Sequence, residues 1–291
     1  SAGKPLTFDS SGINGAPFGF EGDLHVDGGS VITVTPGTEL RFAKDRSLTV
    51  WGGSRLYAVG TATQPITLTA ATADPAPGDW YGLIVRWEEG SSLELAYCDV
   101  GYGGGSRANI FLYGRDVRVD HCRIHHSSVD GIRRTSDQIH PLTFNTITDN
   151  GRCAVSNENS SIGGQQQVVI LRNNTLAGNP CGISNESLSQ MDARRNWWGD
   201  PSGPNHPTLN PGGKGVSVSD NVLFDPWLSA VPGSILFEPA QGGNVGTTTV
   251  RFWGVPADGS WSIVLRRDGQ PDIPGVYRGP ASDDGVDYTF N

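Results

Sequence analysis

Asp130, Arg133, Arg134, Asp137 and His140 put two carboxylates, two guanidiniums and an imidazole within eleven residues. Glu158 and Glu186 follow in the near-copies Ser156-Asn157-Glu158 and Ser184-Asn185-Glu186. These groups suit acid–base chemistry on a sugar bond or the binding of a charged ligand. Aligning Ile132, Val155 and Ile183 places Arg133, Ser156 and Ser184 in one file, and Thr135, Glu158 and Glu186 in another. Neighbouring strands lie about 4.8 Å apart, so the two glutamates are expected to stack, near the roughly 5 Å separation of a retaining glycosidase. A solvated polar face explains the same pattern, because a repeat copies its polar residues along with its apolar ones. No cofactor is expected; the one metal the stacked carboxylates have the chemistry to hold is Ca²⁺.

His121, Cys122, His125 and His126 invite a zinc reading, but alternation along a strand sends His121 and Cys122 to opposite faces. A tetrahedral site needs convergent ligands, so no metal site is assigned to them. Trp51, Tyr57, Trp87, Tyr102 and Tyr113 crowd the first half of the chain. Those that point outward are candidate platforms for sugar rings, whereas Trp80 and Trp198 are expected to pack against turns.

The elements that position these residues are set by a repeat. Cys98, Cys122, Asn145, Asn174 and Asn196 recur at intervals of 24, 23, 29 and 22 residues. Each has an apolar residue, or Ala193, three positions before it, and another apolar residue two positions after it. A period of about 20–30 residues with twofold alternation inside each unit means that no unit buries its apolar face until its neighbours stack on it. The fold expected is therefore all-β, a right-handed parallel β-helix in which these five residues form an inward structural ladder, followed by a short partial β-sandwich. The longest interval is assigned to a protruding loop near residues 160–166. Forty Gly and nineteen Pro suit the many turns of such a solenoid.

Cys153 follows Asn145 by eight residues and Cys181 follows Asn174 by seven. They fall at matching points of adjacent coils, where a disulfide fits and two buried thiols are the other outcome. Cys98 and Cys122 also stack, as a thiol pair or a bridge. The net charge of −9 argues against a nucleic-acid partner, which needs a basic stripe, and no apolar run is long enough to span a membrane.

The string Asn196-Trp197-Trp198-Gly199-Asp200-Pro201-Ser202-Gly203-Pro204 resembles the closing segment of parallel β-helix surface proteins of bacteria and archaea in the pectate-lyase-like superfamily. Leu56–Thr61 with Pro65–Thr69 and Gly78–Leu83 resembles an early coil of the same proteins. The resemblance implies a β-helix over 31–234, with residues 1–30 as its N-terminal cap, and an extracellular or cell-surface location. The tail, 235–291, resembles the first half of a bacterial immunoglobulin-like module, opened by Gly242-Gly243-Asn244. Half a sandwich leaves an apolar face and open edges, so the tail is expected to pack near Trp227 or to self-associate. The acid pairs and Gly-His-Gly segment of polygalacturonase-like hydrolases are not found, nor is the Asp-Pro-His-Glu string of alginate epimerase-like enzymes. The expected function is a non-enzymatic surface module, stalk or adhesin, with affinity for a polysaccharide or surface glycan. The alternative is a polysaccharide lyase or glycoside hydrolase working on an outward sheet face.

Overall fold

The structure, a computed structural model, describes residues 5–87, 90–113, 116–135, 140–158, 169–233, 235–238, 248–252, 262–267, 270–280 and 286–290. The chain is a right-handed parallel β-helix followed by a small antiparallel sheet. Three parallel sheets of nine, six and nine strands run its length. One coil contributes Ser92–Ala96 to the first sheet, Cys98–Gly101 to the second and Ala108–Leu112 to the third. The next coil starts with Asp116–Asp120 directly beneath Ser92–Ala96. The central inward file of the third sheet is apolar: Leu48, Leu83, Ile110, Ile132, Val155 and Ile183 stack one per rung. All six are 0–1% exposed, which is what makes the repeat obligatory.

The helix starts earlier than its sequence suggests. Within the stretch expected as a cap, Leu6–Phe8, Phe18–Phe20 and Leu24–Val26 each pair in parallel with the following coil. Phe8, Phe18 and Phe20 meet there edge to face, and Phe20 stacks on Phe42 at 5.0 Å. These 30 residues carry too few apolar positions to show a period, but their aromatics close the core.

The corner between the first and second sheets is a single residue in the left-handed region. Tyr97, His121, Phe144, Asn173 and Arg195 have φ of 50–60°, a conformation that costs a non-glycine residue roughly 1–2 kcal/mol. The ladder residue that follows each one offsets this cost. Asn174 Oδ1 accepts from Asn145 N at 2.9 Å and from Asn145 Nδ2 at 3.1 Å. Asn196 Oδ1 accepts in the same way from Asn174 N and Nδ2, at 2.8 and 2.9 Å. The amides also donate to carbonyls of the coil above, so buried main-chain and side-chain groups satisfy one another. Outside the corner, the left-handed residues stack their own rings: Tyr97 on His121 at 4.7 Å and His121 on Phe144 at 4.8 Å.

A second asparagine ladder fills the corner between the second and third sheets. Asn150 N and Nδ2 both donate to Asn179 Oδ1 at 3.0 Å, and Asn109 Nδ2 reaches His125 O at 2.7 Å. At the third corner Arg134 donates to Asn157 Oδ1 at 3.1 Å, and Asn157 Nδ2 to Asn185 Oδ1 at 2.8 Å. Cys153 and Cys181 are Cα partners on adjacent rungs, 4.5 Å apart, and form a disulfide. Cys98 and Cys122 are buried free thiols.

In the tail, Ile235–Glu238, Thr248–Phe252, Val286–Phe290 and Val276–Pro280 form an antiparallel sheet in that order. Val264–Arg267 and Gln270–Pro274 form a separate hairpin. Val250, Val286, Tyr288 and Phe290 give this segment a core of its own. Trp227 instead packs on the solenoid core and donates to Pro201 O at 3.0 Å. The loop near residues 160–166 and the tail's Trp253 and Trp261 lie outside the described residues.

Candidate functional site

The outer face of the third sheet gathers most of the residues singled out above. The register Val50, Val85, Leu112, Arg134, Asn157, Asn185 runs without a slip. The residues one step further along each strand therefore form a second file: Trp51, Arg86, Tyr113, Thr135, Glu158, Glu186. Six rungs at the usual spacing make a track of about 24 Å. A parallel file holds Ile84, Phe111, Arg133, Ser156 and Ser184.

One end of this track is aromatic. A groove of about 540 Å³ is lined by Ile84, Arg86, Trp87, Arg107, Phe111 and Tyr113. Trp87 is 70% exposed, Trp51 and Tyr113 are each 37% exposed, and Phe111 is buried against Tyr113 with ring centroids 4.2 Å apart. The Arg86 guanidinium sits over the Trp51 ring at 5.8 Å, a cation–π contact at the side of the groove. Arg86 and Arg107 are exposed. Aromatic plates with two guanidiniums can stack on sugar rings and pair with anionic substituents.

The other end is an ion network. Asp130 is fully buried and accepts from Arg152 Nε at 2.9 Å, Arg152 Nη2 at 2.6 Å, Ser156 Oγ at 2.7 Å and Cys153 N at 3.1 Å. Arg133 bonds to Glu158, lies 3.6 Å from Asp130 and covers the Phe111 ring at 5.6 Å. Burial holds the Arg133 guanidinium below the ordinary arginine value, and the like charges of Arg107 and Arg152 act in the same direction against Asp130. Hydrogen bonding to Asp130 raises Arg152 against the opposing effect of burial. Arg152 also approaches Glu158 at 3.6 Å.

The arrangement differs from the outward patch of catalytic candidates in three ways. Arg134 lies in the inward file, 1% exposed, because the alternation that buries Ile132 also buries the residue two places on. His140 is fully buried, away from solvent. Glu158 and Glu186 do occupy adjacent rungs, but Glu158 is tied to two arginines while Glu186 is exposed. Asp137 lies outside the described residues. The candidate aromatics divide as well: Trp87 and Tyr113 line the groove, Trp51 lies beside it against Arg86, Tyr57 belongs to the outer face of the first sheet and Tyr102 to the corner beside the second.

His121 and Cys122 part as alternation requires, Cys122 into the core and His121 outward to Asp120 at 2.8 Å. Among the described residues no group of three or more His, Cys, Asp or Glu side chains converges as a metal site. Arg152, the main partner of Asp130, was not marked by the sequence reading. Its only signal is that it immediately precedes Cys153 at the start of a strand.

With this geometry in place, the chain is a parallel β-helix whose third sheet carries an aromatic and cationic groove continuous with a buried ion network. A family model described as a pectate-lyase like beta helix domain matches residues 13–121, the coils that build the aromatic end. No curated protein and no solved structure matches the chain.

Proposed function

We propose that this β-helix is a secreted or cell-surface module that binds an acidic polysaccharide without cleaving it, along the outer face of its third sheet. The observation that carries the reading is the groove beside Trp87, where exposed aromatic plates and the guanidiniums of Arg86 and Arg107 line one space at the end of a track about 24 Å long. Sugar rings stack on Trp87 and Tyr113, and ring carboxylates or sulfates pair with the guanidiniums, which form planar, paired hydrogen bonds to such anions. The ion network favours binding over catalysis. Asp130 is buried and bonded to Arg152, Ser156 and main chain, and Glu158 is held by arginines, so both carboxylates are engaged within the fold rather than free to meet a glycosidic bond. The Cys153–Cys181 disulfide agrees with an oxidising location.

The test is affinity electrophoresis and calorimetry against polygalacturonate, alginate and neutral glucans, with eliminase and reducing-end assays run in parallel, with and without Ca²⁺. Retention by an acidic polymer with no product supports the reading. Product formation that disappears in Glu158→Gln or Arg133→Ala replaces it with a lyase or hydrolase.

A further inference from the structure

The second sheet carries a separate cleft that the acidic-polymer reading does not use. The loop 71–78 overhangs its outer face, pinned by hydrogen bonds from Gly78 N and Asp79 N to Tyr102 O, both 3.1 Å. Between the loop and the sheet lies a space of about 300 Å³, at the lower end for small-ligand pockets. Its floor is two outward files. One runs Glu39, Thr67, Asp99, Arg123, and the other runs Arg41, Thr69, Gly101, His125. Tyr102 and Pro75 form the walls.

The floor is organised before any ligand arrives. Arg41 clasps Glu39 through two bonds of 2.8 and 3.2 Å. Asp99 accepts from Arg123 at 3.2 Å and contacts His125 Nε2 at 2.6 Å. The His125 ring lies over Gly101, where a Cβ would stand 2.5 Å from its Cε1; the glycine makes the room the imidazole occupies. The other nitrogen of His125 meets His126 Nδ1 at 2.7 Å, so His125 positions Asp99 and has no nitrogen left for a ligand. Burial alone would push the Asp99 carboxyl up, but the bonds from His125 and Arg123 outweigh it and hold the group below its usual range.

Both carboxylates and both guanidiniums are therefore fixed and mutually neutralised, yet still partly exposed, with side chains 29–50% accessible. An anion entering here meets two carboxylates, and a cation meets two arginines. A neutral polyhydroxylated ring meets neither penalty: its hydroxyls donate to Glu39 and Asp99, accept from Arg41 and Arg123, and bond to Thr67 and Thr69. Its apolar face rests on Tyr102 or Pro75. We infer that this cleft is a second sugar subsite, selective for a single neutral hexose unit, on a different face from the third-sheet groove.

Saturation-transfer NMR on the full chain tests this, using the methyl glycosides of mannose, galactose and glucose at millimolar concentration as probes, with glycine and oligogalacturonate as competitors. At least one neutral glycoside is expected to give a signal that falls at least tenfold in Asp99→Ala and in Thr67→Val, and that persists in Trp87→Ala. Circular dichroism and melting of both cleft variants check that the coil remains folded. The inference is overturned if no neutral glycoside binds, if the signal depends on Trp87 rather than Asp99, or if oligogalacturonate or glycine displaces it. None of these results bears on whether acidic polymers bind the third-sheet groove, which Trp87→Ala reads separately.

Discussion

Replacing Asn174 by Leu tests whether the ladder, and not only the apolar core, holds the coils in register. Asn174 is fully buried and central. Its side chain accepts from Asn145 N and Nδ2 and donates to Leu142 O at 2.8 Å and to Asn196 Oδ1 at 2.9 Å. Leucine keeps the branched shape and is not smaller, so no cavity opens and the loss is that of the polar bonds. Asn145 Nδ2 keeps Val119 O at 2.9 Å, and Asn196 Oδ1 keeps Asn174 N at 2.8 Å. Asn145 N and Leu142 O lose the asparagine side chain that serves them in the corner. At about 1–3 kcal/mol for each stranded buried group, the two together cost about 2–6 kcal/mol. At about 2–4 °C per kcal/mol for a domain of 150–250 residues, the melting temperature is expected to fall by roughly 4–24 °C. Asn174→Asp sharpens the test, because a buried carboxylate would face Leu142 O and Asn196 Oδ1 with no proton to donate. Its folded-state pKa would be raised, so this variant should gain stability relative to the parent as pH falls and lose it as pH rises. Differential scanning fluorimetry from pH 4 to 8 reads both effects. An Asn174→Leu protein that melts within a degree of the parent refutes the ladder as a source of stability.

Three further outcomes follow from the structure. Thiol titration of the denatured, unreduced chain should find two reactive cysteines; four would remove the Cys153–Cys181 bridge. Reducing that bridge, which closes 28 residues, should cost about 3–4 kcal/mol, read as a lower urea midpoint, and no shift in the midpoint counts against it. Burial disfavours the charged form of Asp192, but hydrogen bonds from Arg194 and Arg172 and the charge of Arg172 hold its carboxyl far below the usual range. Its contribution is thus complete above the unfolded carboxyl value, about 3.9, and is lost as pH falls below it. Asp192→Asn should lower stability at pH 7 and flatten the decline between pH 4 and 2; an unchanged acid limb contradicts the pairing.

The coils were legible because the apolar period is strict and one polar position repeats within it. The register of Arg133 with Ser156 and Ser184 follows from alternation alone, as does the facing of Cys153 and Cys181. The second ladder was missed although Asn150 and Asn179 each follow a first-ladder asparagine by five residues. Its first member breaks the phase: Asn109 enters from the following strand and fills the space above Gly103, accepting from Gly103 N at 2.7 Å. Burial of charge was the larger gap. Alternation from the buried Ile132 marks Arg133 as outward, but it does not place Asp130 beside it, nor show that Arg152 and Ser156 bond to Asp130 and Glu158 to Arg133. The cleft on the second sheet was invisible for a similar reason, since it depends on the overhang of loop 71–78 and on a glycine that admits the His125 ring.

The aromatic and cationic groove of the third sheet is proposed to bind acidic polysaccharide. The most direct measurement is calorimetric titration of oligogalacturonate or oligoalginate into the parent, Trp87→Ala and Arg86→Ala. Stacking on an exposed tryptophan contributes about 1 kcal/mol, or roughly fivefold in affinity. Saturable binding to the parent is expected, weakened about fivefold in Trp87→Ala and weakened further by salt in the parent than in Arg86→Ala. Binding that is equal in all three proteins, or no binding of any acidic oligomer to the parent, contradicts it.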